Sequence, residues 1–189
     1  PDQEILRLPF PTDAADAASV VWRAASGMVA QRLERGQDAA FITEGDPMLY
    51  STFSYVLAGV AEICPTASIE VVPGVSSIMA AAARAQVPLA TQEQRLAVLP
   101  AVYGIDDLAE VASGIDTLVL MKVSPILVQA LANLEGLDLK GRSTFVRRVT
   151  TARERVVYDL SELGDEDLDY FSILIVQNQV PTNVKARQP

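Results

Sequence analysis

Two polar loops that contain glycine are the features of this sequence best suited to chemistry. The first holds Glu44-Gly45-Asp46-Pro47 and the second holds Pro73-Gly74-Val75-Ser76-Ser77. Glycine permits close backbone approach or a positive φ, and carboxylate and hydroxyl groups can fix an adenosine, a ribose or an amino-acid end. Each loop alone is more often an ordinary turn. Their combination predicts a small-molecule pocket.

A basic segment, residues 140–155, is the second candidate site. The whole chain carries 15 Lys and Arg against 24 Asp and Glu, a formal charge of −9, which is the wrong sign for binding along nucleic acid. The segment contains one acid, Glu154, and six basic residues: Lys140, Arg142, Arg147, Arg148, Arg153 and Arg155. Because arginine binds carboxylates through two parallel hydrogen bonds, the segment predicts a polyanionic ligand. The alternative is a solvated strand edge protected by charge.

Other kinds of site are excluded by composition. The chain has no histidine and one cysteine, Cys64, so zinc sites, internal disulfides and Ser-His-Asp triads are excluded and no metal is expected. It lacks the glycine motifs of kinase-like and dinucleotide-binding proteins. No apolar run approaches the roughly 18 residues of a membrane helix. We therefore expect a soluble cytoplasmic protein with neither a nucleic acid nor a membrane partner.

The loops are positioned by alternating strands and helices. A long amphipathic helix is predicted to begin after Thr12 or Asp13 and to end at Gly36. Since loops at the carboxyl ends of neighbouring parallel strands meet at one edge of a sheet, an N-terminal parallel sheet would bring the two loops together. The predicted elements are helix 12–35, strand 39–42, helix 49–63, strand 69–72 and helix 75–85.

The second half has a different rhythm, and the change at Val87-Pro88 predicts two α/β domains, residues 1–87 and 88–189. Its last three strands lack helices long enough for parallel crossovers, which predicts antiparallel pairing and a mixed sheet. The strands are predicted at 95–99, 117–121, 143–149, 155–158 and 171–176, and the helices at 106–112 and 125–134. In a regular strand, neighbours such as Arg147 and Arg148 point to opposite faces, so only one of them should face a ligand.

The motifs, taken in order, resemble the tetrapyrrole (corrin/porphyrin) methylase family. The resemblance runs from about residue 4 to residue 177 and rests on the series, since each motif is weak alone. They are TEGDP at 43–47, YST at 50–52, VPGVSS at 72–77, RLAVLP at 95–100, MK at 121–122, RVTT at 148–151 and YFS at 170–172.

The resemblance implies two α/β domains with S-adenosylmethionine between them, and a homodimer. It also implies methylation of a tetrapyrrole carbon, most like the members that methylate carbon 20 of precorrin-2. The alternatives are a sister methylase acting on another ring carbon or on a cobalt-containing tetrapyrrole, and a noncatalytic small-molecule binding domain. One departure is that family members begin with a strand and a G-x-G-P-G-D-P loop, which does not precede Glu4 here. We expect this first βα unit to be missing from the chain.

Individual roles also follow from the resemblance. No catalytic base is assigned, because a sulfonium methyl is already activated and its transfer depends mainly on alignment and exclusion of water. The substrate-binding residues would be Tyr50, Ser51 and Thr52, joined by Arg147 and Arg148 of the basic segment. The cofactor-binding residues would be Gly45, Asp46, Leu49, Ser76, Ser77, Lys122 and Val149.

Overall fold

A computed structural model describes residues 3–8, 15–101 and 108–178. The chain forms two compact units, Pro1–Ser76 and Ser77–Pro189. The first contains α1 (Ala15–Glu34) and α2 (Phe53–Ile63). The second contains α3 (Ser77–Ala85), β1 (Leu96–Pro100), α4 (Leu108–Ala112), β2 (Thr117–Met121), α5 (Leu127–Gly136), β3 (Ser143–Arg147), β4 (Arg155–Val157) and β5 (Ser172–Gln177).

The boundary between the two units lies just before α3, after Ser76, whereas the sequence predicts a domain boundary after this helix, at 87/88. The reason is the apolar face of α3, where Ile78, Ala81 and Ala85 are buried in one core with β-strand residues of the second unit. Burial of this face stabilises α3 as part of the sheet structure rather than as the last helix of the first half. The domain assignment of residues 1–87 and 88–189 itself stays a prediction.

The first unit is built on the pair α1 and α2. Ala25 of α1 and Val56 and Val60 of α2 are buried together. The helices approach closely at Gly59, where a Cβ atom would lie 2.2 Å from the hydroxyl oxygen of Ser26. Gly36, at φ +74°, ends α1 as expected, since a left-handed residue after a helix favours glycine. The predicted caps Thr12 and Asp13 lie outside the described residues.

The N-terminal parallel sheet does not form in the described part of the first unit. Residues 39–43 and 69–76 lie outside any helix or strand, and their apolar side chains are largely exposed, with Ile42 93% and Val72 72% accessible. A strand is stabilised by its ladder partners and by burial of its faces more than by its own propensity. Neither segment has a ladder partner among the described residues, so neither becomes a strand.

The second unit contains the expected mixed sheet, with strand order β1-β2-β5-β3-β4. Strands β1 and β2 are parallel, and all other neighbours are antiparallel. All five predicted strands and both predicted helices are confirmed, and no described end is shifted by more than two residues. Residues 106 and 107, the predicted start of the first of these helices, lie outside the described residues. One shift matters for the site: β3 ends at Arg147 instead of residue 149.

Both faces of this sheet are covered. On one face Leu118, Leu120, Phe145 and Leu174 pack in a core with α4 and α5. Their neighbours along the strands point to the other face, where Val119, Val146, Ile173 and Ile175 join the core under α3. This alternation with a period of two follows from the pleat of a β-strand. Because apolar side chains fill both faces, the polar residues next to this sheet lie at the ends of β2, β3 and β5.

Candidate functional site

The two glycine loops of the first unit are joined by Asp46. One oxygen of its carboxylate accepts the amide hydrogen of Met48 at 2.8 Å, and the other accepts that of Gly74 at 3.0 Å. Asp46 therefore orders its own turn and also holds the second loop. The hydrogen bond from Gly74, followed by that from Met48, lowers the pKa of the Asp46 carboxyl because both favour the ionised form.

The contact between these loops requires glycine. Gly45 has φ +77°, in the left-handed region. At Gly74 a Cβ atom would lie 2.2 Å from the carbonyl oxygen of Gly45, a distance that real Cβ contacts do not reach. The structure thus brings together the two loops that the sequence singles out. Both glycines are exposed, so the backbone of this loop pair is accessible to a ligand.

The residues between the first loop and α2 divide into structural and exposed positions. The Ser51 hydroxyl accepts the amide hydrogen of Phe53 at 3.2 Å and lies 3.2 Å from the hydroxyl of Thr43, so it orders the turn just before α2 and ties it to the loop. Thr52 is half-buried at the helix start. Leu49 and Tyr50 are 37% and 49% exposed, and Tyr50 has φ +52°. Ser51 is thus the predicted substrate residue with the clearest structural role.

Ser76 and Ser77 stand at the change from the first unit to the second. Ser76 is the last residue of the first unit and is buried, and Ser77 begins α3. The first amides of a helix have no partners within the helix. The serines therefore lie at the N-terminal end of α3, as the sequence predicts for the end of the second loop.

The predicted site residues of the second unit share one end of its sheet. Lys122 follows β2, donates its amide hydrogen to Ser172 at 2.8 Å, and carries its ammonium 5.0 Å from the Tyr170 ring centroid. Arg148 follows β3, donates its amide hydrogen to Phe171, and carries its guanidinium 5.3 Å from that ring. Val149, next along the chain, packs against the core under α3. The exposed Tyr170 and Phe171 therefore hold two cations in place.

The basic segment is largely neutralised by an acidic segment that sequence reasoning missed. Arg147 and Arg155 stand opposite each other on β3 and β4, and the fully buried Asp167 lies beside both. Its carboxylate is 2.6 Å from the Arg155 guanidinium and 3.6 Å from that of Arg147. Arg155 also contacts Glu166 at 3.1 Å. The signal available in the sequence was the acidic run from 165 to 169, which complements the charge of 140–155.

Arg148 is held by the same acidic run. Its guanidinium contacts the Asp169 carboxylate at 2.5 Å. Although burial opposes ionisation of Asp169, hydrogen bonds from the Phe171 amide and the Arg148 guanidinium lower the pKa of its carboxyl. Each of these three arginines therefore has an acidic partner.

A pocket of about 490 Å³ opens at this end of the second unit. Both Arg147 and Arg148 line this pocket, so strand alternation does not separate the two side chains as the sequence predicts for a regular strand. The reason is that β3 ends at Arg147 and Arg148 has φ +46°, so strand alternation stops between them. That only one of the two arginines contacts a ligand stays a prediction. The lining residues are Arg147, Arg148, Arg153, Glu154, Arg155, Glu166 and Asp169.

Within the described ranges there is no group of three His, Cys, Asp or Glu residues that could hold a metal ion. None of the described helices is long and apolar enough to cross a membrane. The Cys64 thiol lies 3.9 Å from the Ala30 carbonyl oxygen, a contact that ties the end of α2 to α1.

Residues 2–164 match the sequence profile of the Tetrapyrrole (Corrin/Porphyrin) Methylases. The chain belongs to this family. The tetrapyrrole methylase chain is 34% identical over 172 residues to the cobalt-precorrin-2 C(20)-methyltransferase of Salmonella typhimurium, covering 90% of this chain and 71% of that protein. It is 35% identical over 151 residues to the probable cobalt-precorrin-2 C(20)-methyltransferase of Methanocaldococcus jannaschii, covering 77% and 61%.

The fold agrees with this assignment. The tetrapyrrole methylase chain superposes on the X-ray structure of a cobalamin biosynthetic enzyme, cobalt precorrin-4 methyltransferase, with a TM-score of 0.64 at 19% identity. The superposition covers 80% of this chain and 69% of that enzyme. The expected α/β methylase fold is therefore confirmed. Family membership and these relatives place the chain among the methyltransferases.

Proposed function

We propose that this chain belongs to an S-adenosylmethionine-dependent C-methyltransferase that methylates carbon 20 of precorrin-2, giving precorrin-3A, in cobalamin biosynthesis. The observation that carries the proposal is the similarity to the Salmonella C(20)-methyltransferase over 90% of the chain. The Salmonella and Methanocaldococcus relatives carry names for the cobalt-containing substrate. This favours cobalt-precorrin-2 as a second candidate beside the metal-free form.

The loop pair of the first unit fits a cofactor that is bound mainly through backbone groups. Gly45 and Gly74 are exposed and lack side chains, and Asp46 fixes the backbone of both loops. We assign cofactor contacts to this loop pair and to Leu49, and to the α3 start at Ser76 and Ser77. In the second unit we assign them to the sheet-end residues Lys122 and Val149.

The chemistry that the cofactor supplies when bound is an activated methyl group on a sulfonium. The residues of the chain then need to align the substrate carbon and exclude water, which can lower a barrier by about 7–11 kcal/mol. Tyr50, Ser51 and Thr52 are proposed substrate contacts beside the first loop, and Arg147 and Arg148 are proposed contacts for acidic side chains of the tetrapyrrole.

The activity is tested by incubating purified full-length protein with S-adenosylmethionine and either metal-free or cobalt-containing precorrin-2. Mass spectrometry should show the gain of one methyl group, and isotope-edited NMR should place it at carbon 20. An unchanged tetrapyrrole mass, with the cofactor bound, contradicts the proposal. Methylation at another carbon would identify a sister methylase.

The cofactor site is tested by Gly45→Val, with Gly36→Val as matched control. Both glycines are exposed and have nearly equal positive φ angles, +77° and +74°, so valine is equally strained at each. Calorimetric titration with S-adenosylhomocysteine should show weaker binding for Gly45→Val alone. Equal affinities in two folded variants would show that the loop does not contribute to cofactor binding.

We further propose a cytoplasmic homodimer. Exposed apolar side chains support an interface, including Val128 at 78% and Val75 at 72% accessibility. Light scattering of the full-length protein should give twice the chain mass at micromolar concentration, and a single chain mass contradicts the dimer. Cell fractionation tests the compartment.

A further inference from the structure

The pocket lined by Arg147, Arg148, Arg153 and Arg155, which we call the arginine pocket, contains one cation without a partner among the described residues. Arg147 and Arg155 contact Asp167, and Arg148 contacts Asp169. Among the residues that the structure describes, the Arg153 guanidinium has no hydrogen bond and no ion pair, and Arg153 is exposed at the pocket. The other three guanidinium groups form its walls.

The acids of the pocket do not compensate Arg153, because each is engaged elsewhere. Glu154 accepts hydrogen bonds from the Arg84 guanidinium at 2.7 Å and from the Thr150 amide at 2.6 Å. Glu166 contacts Arg155, and Asp169 contacts Arg148. The charge of Arg153 is thus available to an anion that enters the pocket.

The backbone that carries Arg153 is already ordered. The Thr151 hydroxyl accepts the amide hydrogen of Arg153 at 3.1 Å and donates to the Arg148 carbonyl at 2.8 Å. The Glu154 amide donates to the Thr151 carbonyl at 3.1 Å. A turn fixed before binding reduces the entropy that a ligand contact must offset.

We propose that Arg153 is the recognition residue of this pocket and binds a carboxylate of a polycarboxylate ligand. The assignment rests on the proposed function, in which the ligand is an acidic tetrapyrrole. A carboxylate matches the planar fork of a guanidinium, which donates two parallel hydrogen bonds. Arg148, held against Phe171 and Asp169, flanks the ligand carboxylate, and the volume of about 490 Å³ admits acidic side chains along one edge of a macrocycle.

The experiment compares Arg153→Gln with Arg142→Gln in full-length protein. Both changes remove one positive charge from the basic segment, but Arg142 does not line the pocket and donates instead to the Asn178 carbonyl. The probe is an octacarboxylate porphyrin, with binding followed by fluorescence, and its octamethyl ester is the uncharged arm. We expect Arg153→Gln to weaken acid-porphyrin binding about tenfold, since a charge-assisted hydrogen bond is among the stronger ones. Arg142→Gln should stay within about twofold.

A second arm identifies the source of the carboxylate, because the methyl donor also carries one. Calorimetry with S-adenosylhomocysteine should give equal affinities for wild type and Arg153→Gln. Weakening of this ligand instead of the porphyrin overturns the assignment to a tetrapyrrole carboxylate. Equal effects of the two arginine variants, or no binding of acid porphyrin by the wild type, overturn the proposal altogether.

The methyl-transfer assay separates this proposal from the proposed function. With the methylated tetrapyrrole as readout, Arg153→Gln should raise KM and leave kcat close to wild type, because the contact acts equally before and during transfer. A fall in kcat with unchanged KM contradicts a binding role. Absence of methylation by wild type refutes the proposed function, while the porphyrin result still decides whether Arg153 binds carboxylates.

Discussion

Replacement of Asp167 by Asn tests whether the buried carboxylate holds the β3–β4 hairpin together. Arg147 and Arg155 form a directly opposed pair at the end of these strands, and like charges in that arrangement repel each other. Asp167 is 0% exposed, contacts both guanidinium groups, and accepts the Gly164 amide hydrogen at 3.1 Å. Asn keeps the size and the hydrogen-bonding oxygen but removes the counter-charge.

The expected loss follows from burial. Removing one partner of a buried ion pair costs about 3–5 kcal/mol. Because the Arg147 and Arg155 side chains are 18% and 30% exposed, water screens part of the repulsion and we expect about 3 kcal/mol, the lower end of that range. For a chain of this length 1 kcal/mol corresponds to about 2–4 °C, so Tm should fall by about 6–12 °C.

Glu166→Gln is the matched control, since its carboxylate contacts the same Arg155 but its side chain is 66% exposed. We expect a cost of about 1 kcal/mol or less, which salt should screen, whereas the effect of Asp167→Asn should depend little on salt. Urea unfolding and calorimetry of both variants provide the comparison. Equal losses for the two variants would refute the reasoning, because a buried counter-charge and an exposed one would then be equivalent.

Two further predictions concern the first unit. Gly59→Ala should destabilise the protein by about 1–3 kcal/mol in urea unfolding, because its Cβ would meet the Ser26 hydroxyl at 2.2 Å. Gly27→Ala, with no neighbour within 4 Å, should stabilise by about 0.5–1 kcal/mol, and a similar sign for both would contradict the packing argument. The ionised Asp46 carboxylate should stabilise the loop pair fully above its ordinary pKa of 3.8. This stabilisation should be lost as pH falls through the lowered pKa of the folded protein. Hydrogen exchange of the Gly74 amide, expressed as a protection factor so that the intrinsic pH dependence of exchange is divided out, should show this loss. Asp46→Asn should abolish the pH dependence of the protection factor.

The second unit was predictable because its strands carry their own burial pattern. Residues 117–121 and 172–176 are apolar runs bounded by polar turns, and both faces of the sheet are covered by helices. The first unit shows the opposite case. Residues 39–42 and 69–72 have strand-like composition, but a strand requires a ladder partner, and none is present among the described residues. The local sequence does not determine whether a neighbouring strand is available for pairing.

The count of charges in the sequence located the arginine pocket, but it overstated the number of arginines that have no acidic partner. Residues 140–155 have a strongly positive sum in sequence, yet hairpin register and the turn at Gly164 bring the acids of 165–169 against three of the arginines. Pairing of this kind depends on which side chains the fold brings within a few ångströms, since exposed charges farther apart are screened over about 8 Å. What distinguishes Arg153 is the absence of such a partner in the described chain. A basic segment therefore indicates a ligand site only through those basic side chains that have no acidic partner in the folded protein.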